Sequence, residues 1–297
     1  MKKRWLLNLV MLLVVVGLVT FLYVRPQTDN SGPKQYEVST LKLADFNAIE
    51  VVFPTQKPTS FEKVDGLWRM TSPYKSRADQ VLVQRILAII AAKSAEKLSA
   101  SDLAKYGLDN PQLRLKLKKP AGVEEFIFGT FNPITEEQYV AYKNDVYLLP
   151  GSYSEAASTQ AIELVDKNPL SRNEAKLISG FNFSHLEQWE QVGLNIDIAD
   201  GKWKVNLPKA KPTQNELNEW LDFSWKQAQA KQVELYSPDS KSTYPSFEIK
   251  LTDGTKVRFE KIQESPELLL GRPDEGIMYH FNNDVGFTML NPPLHLE

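Results

Sequence analysis

Apolar residues recur along this chain in three different patterns, and each predicts a different element. Leu113, Leu115 and Leu117 alternate with Arg114, Lys116 and Lys118, the period of two expected of a strand with one buried and one wet face. Leu82, Ile86, Ile89 and Ile90 follow Asp79 at helical spacing, which predicts a long helix with Asp79 as its N-cap. A second helix is predicted where Thr213-Gln214-Asn215-Glu216 forms a capping box ahead of Leu217, Trp220, Leu221, Trp225 and Ala228. The third pattern is an unbroken run, Trp5 to Val24, uncharged and almost wholly apolar.

Turn signals divide the rest into short strands. Phe61–Val64 and Leu67–Met70 flank Asp65-Gly66, and Ile196–Ala199 and Lys202–Val205 flank Asp200-Gly201. Asp-Gly between two strands favours a type I′ hairpin turn, in which both central residues take positive φ. Phe126–Gly129, Tyr139–Tyr142 and Val146–Leu149 read as further strands, and Ser154–Val165 as a connecting helix.

The two halves of the chain share these landmarks. At an offset of 135, Phe46-Asn47 meets Phe181-Asn182, Asp65-Gly66 meets Asp200-Gly201, Trp68 meets Trp203 and Pro73 meets Pro208. With a slip of one, the strand beginning Pro111-Gln112-Leu113 meets the one beginning Pro245-Ser246-Phe247, and later Asn144-Asp145-Val146 meets Asn283-Asp284-Val285. A tandem duplication is therefore expected.

Twenty helical residues rise about 30 Å, the thickness of a bilayer's hydrocarbon core. Trp5–Val24 ends in Thr20-Phe21-Leu22-Tyr23-Val24, without the small-residue cleavage site of a signal peptide. It therefore reads as a transmembrane signal anchor with Trp5 and Tyr23 at its interfaces. Lys2, Lys3 and Arg4 on one flank against Arg25 on the other place the N-terminus in the cytoplasm and the remainder in the periplasm, at a bacterial inner membrane crossed once. The expected organisation is a cytoplasmic tip and anchor over 1–25, a linker over 26–35, a first repeat over 36–150, a connecting segment over 151–172 and a second repeat over 173–297. Each repeat is expected to be α+β, a largely antiparallel sheet packed on one long helix.

Composition narrows the chemistry. There are no cysteines and only three histidines, His185, His280 and His295, so disulfides, thiolate nucleophiles and a histidine-rich metal centre are not expected. Without Lys2, Lys3, Arg4 and Arg25, 31 basic residues face 37 acidic ones, a net charge of −6, which argues against a nucleic-acid partner. No nucleophile elbow or Ser-x-x-Lys set occurs, and the paired carboxylates Glu124-Glu125, Glu136-Glu137 and Asp274-Glu275 sit in polar turn contexts. No catalytic residue, cofactor or metal ligand is assigned. The candidates for binding are Trp68 and Trp203, Tyr106 and Asp109 in the Tyr106–Pro111 loop, and the basic strand face Arg114, Lys116 and Lys118. Each has a structural alternative: core packing for the tryptophans, a helix stop at Gly107 and Pro111 for the loop, and a solvated face for the basic strand.

Trp68, Ser72-Pro73, Ala78-Asp79, Tyr106-Gly107-Leu108-Asp109-Asn110-Pro111, Phe128-Gly129 and Tyr139-Val140 together resemble the bacterial domain-of-unknown-function family numbered 4340. The likeness covers most of residues 43–150 and continues more weakly through the second half, where Tyr236-Ser237-Pro238-Asp239 departs from it. The resemblance implies a membrane-anchored envelope protein, with an ABC-type transporter as a partner. Two functions are thus expected as alternatives. One is a non-catalytic binding or scaffold subunit of an envelope complex, and the other a glycan-binding protein or hydrolase with its cleft between the repeats. Exposed Trp68 or Trp203 would favour the second.

Overall fold

The computed structural model describes residues 11, 14–21, 34–238 and 242–296. The first part of the chain supplies strands β1 (Tyr36–Glu37), β2 (Ala48–Val52), β3 (Thr59–Val64), β4 (Leu67–Ser72), β5 (Ser76–Arg77), β6 (Lys93–Ser94), β7 (Lys97–Ser99), β8 (Leu113–Lys119), β9 (Gly122–Phe131), β10 (Gln138–Tyr142) and β11 (Asp145–Leu149). The second supplies β12 (Ile178–His185), β13 (Asn195–Ala199), β14 (Lys202–Val205), β15 (Gln232–Leu235), β16 (Ser246–Leu251), β17 (Lys256–Gln263), β18 (Glu267–Arg272) and β19 (Ile277–Asn282). They form a nine-stranded sheet in the order β5-β4-β3-β2-β8-β9-β10-β11-β7 and an eight-stranded sheet in the order β14-β13-β12-β16-β17-β18-β19-β15. A small β1-β6 ribbon completes the set.

Sequence alternation builds these sheets directly. Leu113, Leu115 and Leu117 are buried, with Leu115 paired across to Val51 on one side and Phe126 on the other. Both Asp-Gly turns are two-residue hairpins closing on Val64–Leu67 and Ala199–Lys202, and Asp65, Gly66, Asp200 and Gly201 all have positive φ. That is the backbone a type I′ turn demands.

The helices differ from expectation. The expected long helix after Asp79 is an eight-residue helix, α1 (Gln80–Leu87), followed by a 3-10 turn over Ala88–Ala91. Two α-helical turns span about 12 Å, the width of two to three strands, and the chain must then straighten so that β6 can pair with β1. The expected connecting helix over Ser154–Val165 is α2 (Ser152–Ala157) and a separate 3-10 turn, Ala161–Leu164, and it precedes α3 (Arg172–Leu177). In the second half, α4 (Gln214–Leu221) gives way to a π-helical stretch, Asp222–Lys226. The wider turn carries Trp225 into the core and leaves Phe223 exposed. A last helix, α5 (Asn283–Leu290), packs on β18 and β19.

The expected fold class, an anchor helix followed by sheets each laid on one long helix, is therefore corrected. The molecule is mostly β, because the apolar surface is covered chiefly by short helices and by aromatic side chains. Phe181 anchors a cluster with Phe183, Trp203, Trp220 and Trp225, its ring centroid 4.7 Å from that of Trp220. No helix among the described residues is long and apolar enough to cross a membrane. Of Trp5–Val24, residues 11 and 14–21 are described, as exposed helix. The rest of that segment, and 26–33 of the linker, lie outside the described residues.

Candidate functional site

The junction between the two sheets concentrates the buried charge of the protein. Arg77, in the short edge strand β5, is buried and reaches both the connecting segment and the second sheet. Its Nη1 donates to Asp166 Oδ2 at 2.6 Å and its Nη2 to the Asn168 carbonyl at 2.6 Å. Its Nε donates to Glu275 Oε1 at 2.8 Å, and Nη2 also contacts the Tyr279 hydroxyl at 2.9 Å. Arg272, at the end of β18, is also buried. It donates to the Pro169 carbonyl, to both oxygens of Glu174 and to Asp274, and it lies 3.6 Å from Glu275. Glu275 is thus shared by the two guanidinium groups.

Backbone bonds tie the same segment to the first sheet and to the loop just ahead of β15. Asp166 N–H donates to the Arg77 carbonyl, and Ala230 N–H donates to the Lys167 carbonyl. Burying an ion pair costs several kcal/mol per charge unless its hydrogen bonds are filled. Here the donors of both arginines are extensively used, which explains how the charges persist. Burial pushes the Glu174 carboxyl up, but the Arg272 guanidinium and the Ser171 N–H outweigh it and hold Glu174 down at about 2. Burial likewise pushes the Tyr279 hydroxyl well above its ordinary range.

A groove runs beside this junction. One cavity of about 330 Å³ is lined by Leu43, Lys63, Leu67, Trp68, Gln84 and Arg172, among others. A second, of about 320 Å³, is lined by Asp79, Asp166, Asn168, Lys226 and Gln229. Gln80, Val81 and Arg172 border both. A third cavity, about 500 Å³, opens between α1 and α2 beside Arg85, Tyr153 and Glu155.

Both tryptophans singled out from the sequence are core residues, Trp68 at 5% and Trp203 at 6% exposure. Lys63 covers the Trp68 ring at 5.6 Å, and Trp203 Nε1 donates to Asn218. A sugar has no open tryptophan face to stack on at either position. Tyr106 is buried against Tyr139. Gly107 turns the chain at φ 65°, the Thr130 hydroxyl donates to the Tyr106 carbonyl, and Asp109 is exposed beyond it. This loop adjoins the Leu113 end of β8 and does not meet Trp68.

The basic strand face is matched by acids on its neighbours. Lys118 lies 3.1 Å from Glu50 and Arg114 3.6 Å from Glu125, while Lys116 pairs in register with Glu50 on β2 and Glu125 on β9. Among the described residues, no group of three His, Cys, Asp or Glu side chains could hold a metal ion. His280 has Glu234 3.2 Å from Nε2 and Glu267 3.7 Å from Nδ1.

The residues that define the junction, Arg77, Asp166, Glu174, Arg272 and Glu275, carry no local signature, since the contacts link segments far apart in sequence. Gln80 and Gln214 did leave one: each directly follows a helix N-cap, Asp79 or Thr213.

The family model of a domain of unknown function (DUF4340) matches residues 68–246, more than half of the chain, which therefore belongs to that family. No curated protein and no solved structure matches it.

Proposed function

We propose that this chain is a non-catalytic binding or scaffold protein of the bacterial envelope, serving another envelope component as an accessory subunit. An ABC-type transporter is the partner we favour, on the resemblance described above. The observation that carries the reading is the junction at Glu275. Two buried arginines and their carboxylates fix two broad sheets against one connecting segment, as suits a body that presents a fixed surface to a partner. Burial of Trp68 and Trp203 takes from the glycan-binding alternative the residues that would have served it best.

We also read the two sheets as a duplication. In support, the order β4-β3-β2-β8-β9-β10-β11-β7 runs parallel to β14-β13-β12-β16-β17-β18-β19-β15. Each sheet has its Asp-Gly hairpin, its tryptophan on the strand after it and its capped helix. We place the protein at the periplasmic side of the inner membrane, held there by its apolar N-terminal segment. The cations Lys2, Lys3 and Arg4 ahead of that segment support this, as do the exposed Val14, Val15, Val16, Leu18, Val19 and Phe21.

Affinity purification of the full chain from gently solubilised native membranes, followed by mass spectrometry, tests the proposal. A stoichiometric membrane-protein partner is the expected result. Elution alone overturns the accessory-subunit reading.

A further inference from the structure

Two surface features have no role in the fold or in the junction, and their chemistries match. The first is the groove beside Trp68. Its walls include three exposed apolar side chains, Leu43 (50%), Leu67 (40%) and Val81 (60%). Its cations are Lys63, which covers the Trp68 ring, and Arg172. Neither cation has an ion-pair partner among the described residues. A basic, apolar-walled groove on a chain of net acidic charge is a local inversion of the protein's own field.

The second is the β9–β10 turn. Ile134 at its tip is 89% exposed, the highest of any large hydrophobic side chain among the described residues. The turn that carries it is well bonded. Asn132 Oδ1 accepts from Ile134 N–H at 2.9 Å, Asn132 N–H donates to the Glu137 carbonyl at 2.7 Å, and Glu136 N–H donates to the Asn132 carbonyl at 2.9 Å. Glu136 and Glu137 follow, also without ion-pair partners among the described residues. An apolar knob on an ordered turn loses little conformational freedom on docking, and its flanking carboxylates match the cations of the groove.

We infer that the Ile134 turn of one copy docks in the Trp68 groove of a second copy, with Ile134 against Leu43, Leu67 and Val81 and with Glu136 and Glu137 facing Lys63 and Arg172. Topology excludes the contact within one chain. The Asp65-Gly66 turn lies at the end of the first sheet where Ala48 pairs with Lys118, whereas β9 runs back to pair Phe128 with Leu113 at the other end. Knob and groove therefore sit at opposite ends of the sheet. The contact is head-to-tail, so a third copy can add to the second. This inference does not depend on the partner proposed above.

Sedimentation velocity of the full chain in detergent micelles, from about 1 to 100 μM, tests it. Concentration-dependent association is expected, weakened roughly tenfold or more by Ile134→Asp and by Arg172→Glu. Both positions are exposed, and unchanged thermal melts would show that the variants fold. A mixing experiment separates this contact from any association through the N-terminal segment. Ile134→Asp keeps the groove and Arg172→Glu keeps the knob, so the two together should form a heterodimer that neither forms alone. A monomeric wild type, association indifferent to both substitutions, or a mixture that stays monomeric would each overturn the inference.

Discussion

Gln80 and Trp68 are joined by two hydrogen bonds that mimic a strand pairing: Trp68 N–H donates to Gln80 Oε1 and Gln80 Nε2 donates to the Trp68 carbonyl, both at 2.9 Å. Gln214 and Trp203 repeat the arrangement at 2.7 and 2.9 Å. In each case one side-chain amide from the first turn of a helix bonds both backbone groups of a tryptophan on the second strand of the Asp-Gly hairpin, although the Trp68 carbonyl also accepts from the Ala78 N–H at 3.4 Å. Unpaired strand edges invite pairing with another chain, and a glutamine amide has the donor and acceptor needed to occupy one. Gln214→Ala should lower stability by about 1–2 kcal/mol, the cost of leaving two part-buried backbone groups unpaired, and Gln80→Ala by about 1 kcal/mol, because the Trp68 carbonyl keeps its bond from the Ala78 N–H. Denaturant unfolding measures this, and no loss in either variant would remove the amides from any part in holding the edges.

Acid should loosen the junction through Glu174. Its carboxyl is held at about 2, against an ordinary 4.5. A group depressed in the folded state contributes stability that is complete above about pH 4.5 and is lost as pH falls from there towards about 2. The shift corresponds to at most about 3 kcal/mol. Melting temperature should therefore drop through that window, and Glu174→Gln should flatten the drop while lowering stability at pH 7. Superimposable pH profiles for the two proteins would show that the pairing with Arg272 contributes nothing.

Arg272→Met removes the cation from a site that keeps Glu174, Asp274 and Glu275. Breaking one side of a buried ion pair costs about 3–5 kcal/mol, because the remaining charges are left uncompensated. Adding Glu174→Gln should recover part of that loss. A double-mutant cycle is the direct measurement, with coupling of about 1 kcal/mol or more expected. Strict additivity would mean that the two side chains do not stabilise one another.

Two glycines should respond differently because different physics holds them. A Cβ at Gly66 would meet nothing within 4 Å, but φ there is +79°, so Gly66→Val should cost about 1 kcal/mol or more through backbone strain alone. A Cβ at Gly129 would fall 2.1 Å from the Tyr106 carbonyl oxygen. Backbone cannot yield as a flexible side chain can, so Gly129→Ala should cost about 1–3 kcal/mol by crowding. Thermal melts that leave Gly66→Val and Gly201→Val unchanged would contradict the hairpin geometry.

Local order was legible in the sequence wherever one short segment contains both the cause and the effect. Leu113–Leu117 alternate because a strand has two faces, Asp65-Gly66 and Asp200-Gly201 turn because positive φ suits them, and Asp79 and Thr213 cap because their oxygens reach nearby amides. Helix length was not legible, since Ile89 and Ile90 satisfy helical spacing while the need to pair β6 with β1 ends the helix first. Nor was the fate of Trp68 and Trp203, as an aromatic ring reads the same in sequence whether buried or open. Only the tertiary structure decided that they are core, that Lys118 is answered by Glu50, and that Arg77 and Arg272 meet at Glu275. Those outcomes rest on contacts between distant segments, whose energies depend on burial and distance, and neither quantity exists until the sheets have packed.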